Sequence, residues 1–79
     1  MSQERLILRG MLEEKRQRAR EIEVQADGLV KSIRLLINPY EKLKDLDVMT
    51  ALVQMRELAN LKQQHTELLT EIKKLEKEL

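Results

Sequence analysis

Cysteine is absent from this sequence, and histidine occurs once, as His65. A disulfide is therefore excluded, and so is a zinc site built from cysteines and histidines. The 79 residues are enough for one domain, and a compact chain of this size buries only about 60% of the surface that it exposes when unfolded. Without a disulfide or a metal, the additional stability is expected to come from self-association or from a partner.

Aromatic residues, glycine and proline are also scarce, since the chain has Tyr40, two glycines and one proline. With 42% hydrophobic and 37% charged residues, the composition is typical of long helices. Apolar runs such as Leu6–Leu8 and Leu35–Ile37 are far shorter than the roughly 20 residues of a membrane span. The first residues also lack the apolar segment of a signal peptide. These absences favour a cytoplasmic protein that does not enter a membrane.

Strong turn chemistry occurs only around the single proline, Pro39. Proline disfavours helical conformation at Asn38 and cannot continue a preceding helix. Asp45 and Asp47 are alternative N-caps for the helix that follows. The sequence therefore predicts a helix over about 3–37, a bend over 38–46 with a short helical turn at 39–44, and a second helix over about 46–78.

Two glycines lie inside the first predicted helix. Gly10 and Gly28 each cost about 1 kcal/mol relative to alanine in a helix interior, and Asp27 followed by Gly28 is a turn-forming pair. The apolar repeat continues through both glycines without a change of phase. We therefore expect one continuous helix.

An apolar repeat with alternating steps of four and three residues runs along both predicted helices, as in a coiled coil. We call these positions the seam. One step in the second helix, from Leu58 to Leu61, is three residues long where four are expected, which predicts local overwinding. The seam residues are Leu8, Leu12, Lys15, Ala19, Ile22, Ala26, Leu29, Ile33 and Leu36 in the first helix, and Val48, Ala51, Met55, Leu58, Leu61, His65, Leu68, Ile72, Leu75 and Leu79 in the second.

The two halves of the seam match when the chain folds back on itself. The numbers of opposing seam residues sum to 83 or 84, as for Leu12 with Ile72 and Leu29 with Met55. The midpoint of this register lies inside the predicted bend. The sequence therefore predicts an all-α fold, a single antiparallel helical hairpin over residues 1–79 with coiled-coil-like packing of its two long helices.

Lys15 is the single charged residue in the first-helix half of the seam, where it is expected to face Leu68. Its aliphatic stem can lie along the seam while the ammonium group reaches outward. Glu67 and Glu71 flank this layer and are the predicted counter-charges.

A second group of apolar side chains lies beside the seam in the half of the hairpin nearer the bend. We call it the apolar flank, and it consists of Val30, Ile37, Met49, Leu52 and Ala59. Farther from the bend the same side is expected to be polar, with Arg9, Arg16, Glu23, Thr66 and Lys73.

An uncovered apolar patch usually marks an interface. We therefore expect a homodimer in which two hairpins form a four-helix bundle. Another helical protein is an alternative partner. A further alternative is internal coverage of the apolar flank by residues 39–44, although this segment brings only Tyr40 and Leu43.

Residues with catalytic or cofactor-binding chemistry are few. His65 has no carboxylate or metal ligand three or four residues away, so we expect it to be a seam residue opposite the small side chain of Ala19. There is no cysteine nucleophile and no glycine-rich phosphate loop, and a two-helix rod has no concave pocket for a substrate. We predict no catalytic, metal-binding or cofactor-binding residue and expect a protein that is not an enzyme.

The densest basic stretch is Lys15–Arg20, in a chain whose 15 basic and 14 acidic residues leave a net charge of +1. Neighbouring glutamates dilute this charge, and no aromatic residues are interleaved for base stacking. A nucleic-acid-binding regulator is the alternative function, with candidate contacts at Arg9, Arg16, Arg18 and Arg20. In architecture alone the predicted hairpin is similar to small dimeric helical hairpins that bind RNA, without a shared motif. We favour a non-enzymatic protein–protein interaction or assembly module.

Overall fold

The computed structural model describes residues 2–79, and it consists of two long helices that pack against each other. Helix α1 spans Ser2–Leu36 and helix α2 spans Val48–Glu78, with a short 3-10 turn at Leu43–Asp45 between them. The described residues contain no strand and form a hairpin with extents of 64 × 15 × 15 Å. The all-helical fold is confirmed, and the predicted helix bounds are correct to within two residues.

Helix α1 is continuous through both of its glycines, as the unbroken apolar repeat predicts. Neither Gly10 nor Gly28 has a positive φ. A Cβ atom added at either position would meet nothing within 4 Å outside the helix's own neighbouring backbone. Neither the conformation nor the packing of the hairpin therefore requires glycine at these positions.

The connection between the helices begins with a tight turn at Asn38. Its Oδ1 atom accepts a hydrogen bond from the backbone N–H of Tyr40 at 2.9 Å, and the N–H of Glu41 donates to the Asn38 carbonyl at 3.1 Å. The side chain of Asn38 thus closes a turn and does not cap a helix, because a short polar side chain can bond its own backbone two residues on. The helical turn predicted at 39–44 is wrong in position, since the 3-10 turn begins at Leu43.

Helix α2 is capped by Asp47, one of the two predicted candidates. Asp47 Oδ1 accepts a hydrogen bond from the backbone N–H of Thr50 at 3.1 Å, and the φ and ψ of Asp47 are not helical. This is the geometry of an N-cap. The same hydrogen bond lowers the pKa of the Asp47 carboxyl below its ordinary value of 3.8. Asp45, the other candidate, is part of the 3-10 turn.

The buried side chains all occupy seam positions, and most of them lie in the half of the hairpin farther from the bend. One cluster there joins the beginning of α1 to the end of α2, as an antiparallel register requires, and it contains both Leu12 and Ile72 as predicted. The remaining buried residues are Ile22 near the middle and Ala51 nearer the bend. The cluster is formed by Leu12, Ala19, Ile72 and Leu75, with Leu8 and Leu68 packed against it.

The seam is less closed near the bend than the repeat predicts. Val48 and Met55 occupy seam positions and are nevertheless 50% and 49% exposed. Two helices in contact cover only one side of each side chain, so a seam flanked by further apolar residues stays open to solvent. Most of the large apolar side chains that are exposed lie between Val30 and Met55, while Leu6 and Ile7 near the open end are exposed by 65% and 63%.

Candidate interaction surface

The apolar flank lies on the surface of the hairpin. Its four large residues are between 38% and 69% exposed, and Ala59 is also exposed. These side chains project from the side of α1 and α2 that is next to the open part of the seam. The most exposed of the four is Met49 and the least exposed is Val30.

The connection between the helices does not cover this flank. Tyr40 is 94% exposed and Leu43 is 81% exposed. The alternative in which residues 39–44 cover the apolar flank is therefore wrong. The turn closed by Asn38 and the later start of the 3-10 turn hold both side chains in solvent.

Farther from the bend, the same side of the hairpin carries paired charges. Arg16 Nη1 is 3.1 Å from Glu13 Oε1, and Arg16 Nη2 is 3.0 Å from Glu76 Oε2 across the two helices. Glu76 is not among the polar residues predicted on this side, because that prediction assumes an unbroken repeat through the short step between Leu58 and Leu61. The step turns the later residues of α2 relative to an unbroken repeat, and the step itself is the available signal.

His65 forms a polar pair that spacing within α2 does not indicate. Its Nε2 atom lies 2.9 Å from Glu23 Oε2 of α1, and this partner is on the other helix. The pair borders a groove of about 190 Å³ whose other lining residues are Ile22, Ala26, Leu58, Leu61 and Lys62. This groove is mainly apolar, and it continues from the apolar flank toward the middle of the rod.

Lys15 is paired as predicted. Its Nζ atom is 2.7 Å from Glu71 Oε2, and Glu71 is one of the two predicted counter-charges. The side chain of Lys15 is 29% exposed, so the stem is largely covered while the ammonium group reaches the edge of the seam.

The four candidate nucleic-acid contacts do not form one basic stripe. Arg16 and Arg20 are four residues apart and share a side of α1, whereas Arg18, two residues from each, lies on the opposite side. Arg16 is paired with glutamates, Arg18 lies 3.4 Å from Glu21, and Arg20 donates to Gln17 at 2.8 Å. Arg9 is exposed. Most of this basic charge is therefore engaged within the chain.

A second groove, of about 510 Å³, lies on the other side of the seam from the apolar flank. Gly28 and Glu57 are among its lining residues, together with Gln25, Leu29, Asn60 and Leu61. Nearby, the Gln54 Oε1 atom is buried without a hydrogen-bond partner. This side is more polar than the apolar flank, because three of its lining residues are Gln25, Glu57 and Asn60.

The remaining chemistry of the surface is sparse. Residues 2–79 contain no group of three or more His, Cys, Asp or Glu side chains arranged to hold a metal ion. Within the same range, neither helix is long and apolar enough to cross a membrane. In comparisons with known proteins, no family model, no curated protein and no solved structure matches this chain.

Proposed function

We propose that this protein is a non-enzymatic assembly module of the cytoplasm that acts as a homodimer. Two hairpins meet through their apolar flanks and form a four-helix bundle with coiled-coil-like packing. The observation that carries this proposal is the exposed apolar surface at the bend end, which the connection leaves uncovered.

A second copy of the chain would bury this apolar surface against an identical one. Burying one large apolar side chain contributes roughly 1.5–3 kcal/mol, and in a two-fold dimer every such residue is buried twice. Several residues of this size together reach the net stability of a small domain, about 5–15 kcal/mol. Self-association would also supply the additional stability that a chain of 79 residues without cysteine needs.

The arginines of α1 give less support to the alternative of nucleic-acid binding. Arg16 and Arg18 are engaged by glutamates, and phosphate contacts would have to displace these partners. Arg18 also faces away from Arg16 and Arg20. The proposal therefore places the working surface on the apolar flank and not on the basic stretch.

The test is the molar mass of Val30→Glu, measured by light scattering over the micromolar range. A glutamate in the interface must be desolvated or the interface must open, so we expect the wild type to be a dimer and Val30→Glu to be a monomer. Leu52→Glu on the other helix is expected to behave in the same way. Circular dichroism of the same samples shows whether each variant keeps its helices.

Val24→Glu is the matched control, because it makes the same substitution in the same helix at a position that is 73% exposed and off the apolar flank. We expect this variant to stay dimeric. A monomeric wild type at high micromolar concentration, or a stable dimer of Leu52→Glu, would show that the interface is not on this face.

A further inference from the structure

The apolar flank is at one end of a long rod, and this position distinguishes the ways in which two copies can meet. The flanks can face each other with both bends at the same end or with the bends at opposite ends. With two-fold symmetry, the first arrangement sets α1 of each copy against α2 of the other. The second sets α1 against α1 and α2 against α2.

The two arrangements differ in the length of rod that they bury. With the bends at the same end, the hairpins overlap along the whole 64 Å of the rod. With the bends at opposite ends and the flanks centred on each other, each rod reaches only as far as the other's bend, which gives an overlap of about 33 Å at a rise of 1.5 Å per residue. The first arrangement therefore brings a longer stretch of the two rods into contact.

Opposite charges beside the apolar flank match each other in the first arrangement. When α1 faces the partner's α2 at the same level along the rod, Asp27 meets the partner's Arg56 and Glu23 meets the partner's Lys62. Glu23 and Lys62 line one groove in the hairpin, which places both on the flank side. Asp27 is bonded to Lys31 at 2.8 Å, but its side chain is 63% exposed and has room for a second cation.

The opposite arrangement sets the two α2 helices, and with them the two Arg56 side chains, next to each other. Arg56 lies four residues after Leu52 and therefore on the flank side of this helix, whereas Glu57 lines the groove on the other side of the seam. With the flanks centred on each other, the two Arg56 side chains would lie within about 10 Å of each other along the rod, and this like-charge contact opposes association.

We infer that the second copy docks with its bend at the same end, so that α1 of each subunit lies against α2 of the partner and Val30 lies level with the partner's Leu52. This inference rests on the proposed homodimer and specifies its geometry. Asp27 with the partner's Arg56, and Glu23 with the partner's Lys62, set the register along the rod.

A spin label at Lys77→Cys tests the geometry in the full chain, which has no native cysteine to remove. Lys77 is exposed and lies at the open end of the hairpin. Double electron–electron resonance measures the distance between the labels on the two subunits. We expect a distance within about 30 Å, the width of two stacked rods of 15 Å. Bends at opposite ends would place the labels about 70 Å apart along the rod, and this result would overturn the inference while leaving the homodimer intact. Light scattering of the labelled protein identifies a monomer, which would overturn both.

Charge reversal gives a second test by dimer dissociation constants. Arg56→Glu is expected to raise the dissociation constant about tenfold, because two symmetric ion pairs become repulsive. Adding Asp27→Lys is expected to restore it to within about twofold, after correction for Asp27→Lys alone. Arg34→Glu is the matched control, since Arg34 shares a side of α1 with Asp27 and would meet the partner's Asp27 only with the bends at opposite ends. Rescue of Arg34→Glu in place of Arg56→Glu would contradict the inferred register.

Discussion

At the scale of single residues, Asp47 links a side-chain hydrogen bond to the start of a helix. Its carboxylate accepts from the Thr50 N–H, one of the backbone donors that a helix leaves without a partner at its N-terminus. The hydrogen bond holds the pKa of Asp47 below 3.8 in the folded protein. Protonation of the carboxyl therefore opposes the folded state.

Replacing Asp47 by alanine is expected to lower the melting temperature at pH 7, because α2 loses its cap. A folded-state pKa that is lowered contributes stability above the unfolded-state pKa, and this contribution disappears as the pH falls through the folded-state value. Below pH 4 the difference between wild type and Asp47→Ala should therefore shrink. Thermal unfolding followed by circular dichroism from pH 7 to pH 2 measures it.

Asp47→Asn is the control for this experiment, because asparagine is also a good N-cap and has no carboxyl to titrate. We expect it to melt close to the wild type at pH 7 and to lose less stability in acid. Equal acid sensitivity of Asp47→Asn and the wild type would contradict the assignment.

Lys15 shows that a charged residue can occupy a seam without being a structural requirement. An exposed ion pair such as Lys15 with Glu71 contributes about 0–1 kcal/mol, whereas a buried leucine contributes roughly 1.5–3 kcal/mol. Lys15→Leu is therefore expected to raise the free energy of unfolding by about 1 kcal/mol in urea denaturation.

Glu71→Gln serves as the comparison, since it removes the ion pair without adding apolar surface. We expect it to lower the free energy of unfolding by less than about 1 kcal/mol. A clear loss of stability in Lys15→Leu would mean that the Lys15–Glu71 pair holds the two helices together in a way that burial cannot replace.

At the scale of secondary structure, the two glycines of α1 are expected to lower the free energy of unfolding. Gly28→Ala is expected to raise the free energy of unfolding by about 0.5–1 kcal/mol, because alanine loses less backbone freedom on folding and its Cβ meets no neighbour. Gly10→Ala is the companion variant, with the same free space around its Cβ. Denaturant unfolding gives both values.

Gly28→Ala also separates the two sides of the hairpin. Gly28 lines the groove on the side away from the apolar flank, so the dimer mass should not change. A loss of dimer in Gly28→Ala, with the helices intact, would place the partner on that groove.

At the scale of the whole molecule, the largest buried cluster and the apolar flank lie at opposite ends of the hairpin. The largest buried cluster holds the open end together, through residues such as Leu12 and Ile72. The bend end carries the exposed seam residues Val48 and Met55 and the apolar flank. The end with the least internal burial is therefore the end that the proposed second copy would stabilise most.

The sequence by itself determined the fold class, the helix bounds and the register. These depend on local features: the period of the apolar residues, the break at Pro39 and the matching of the two halves about the bend. The sequence also predicts either Asp45 or Asp47 as the N-cap of α2, and either Glu67 or Glu71 as the counter-charge of Lys15. Spacing along one helix indicates these candidates, because it fixes which residues lie at the helix start and on which side of the helix each residue lies.

The tertiary structure decided the contacts between the helices and the course of the connection. It paired His65 with Glu23 and Arg16 with Glu76, and it turned Tyr40 into solvent. A step of one residue rotates every later side chain on a helix by about 100°. Which side chains meet across two helices therefore depends on how each helix is rotated against the other, and packing sets that rotation.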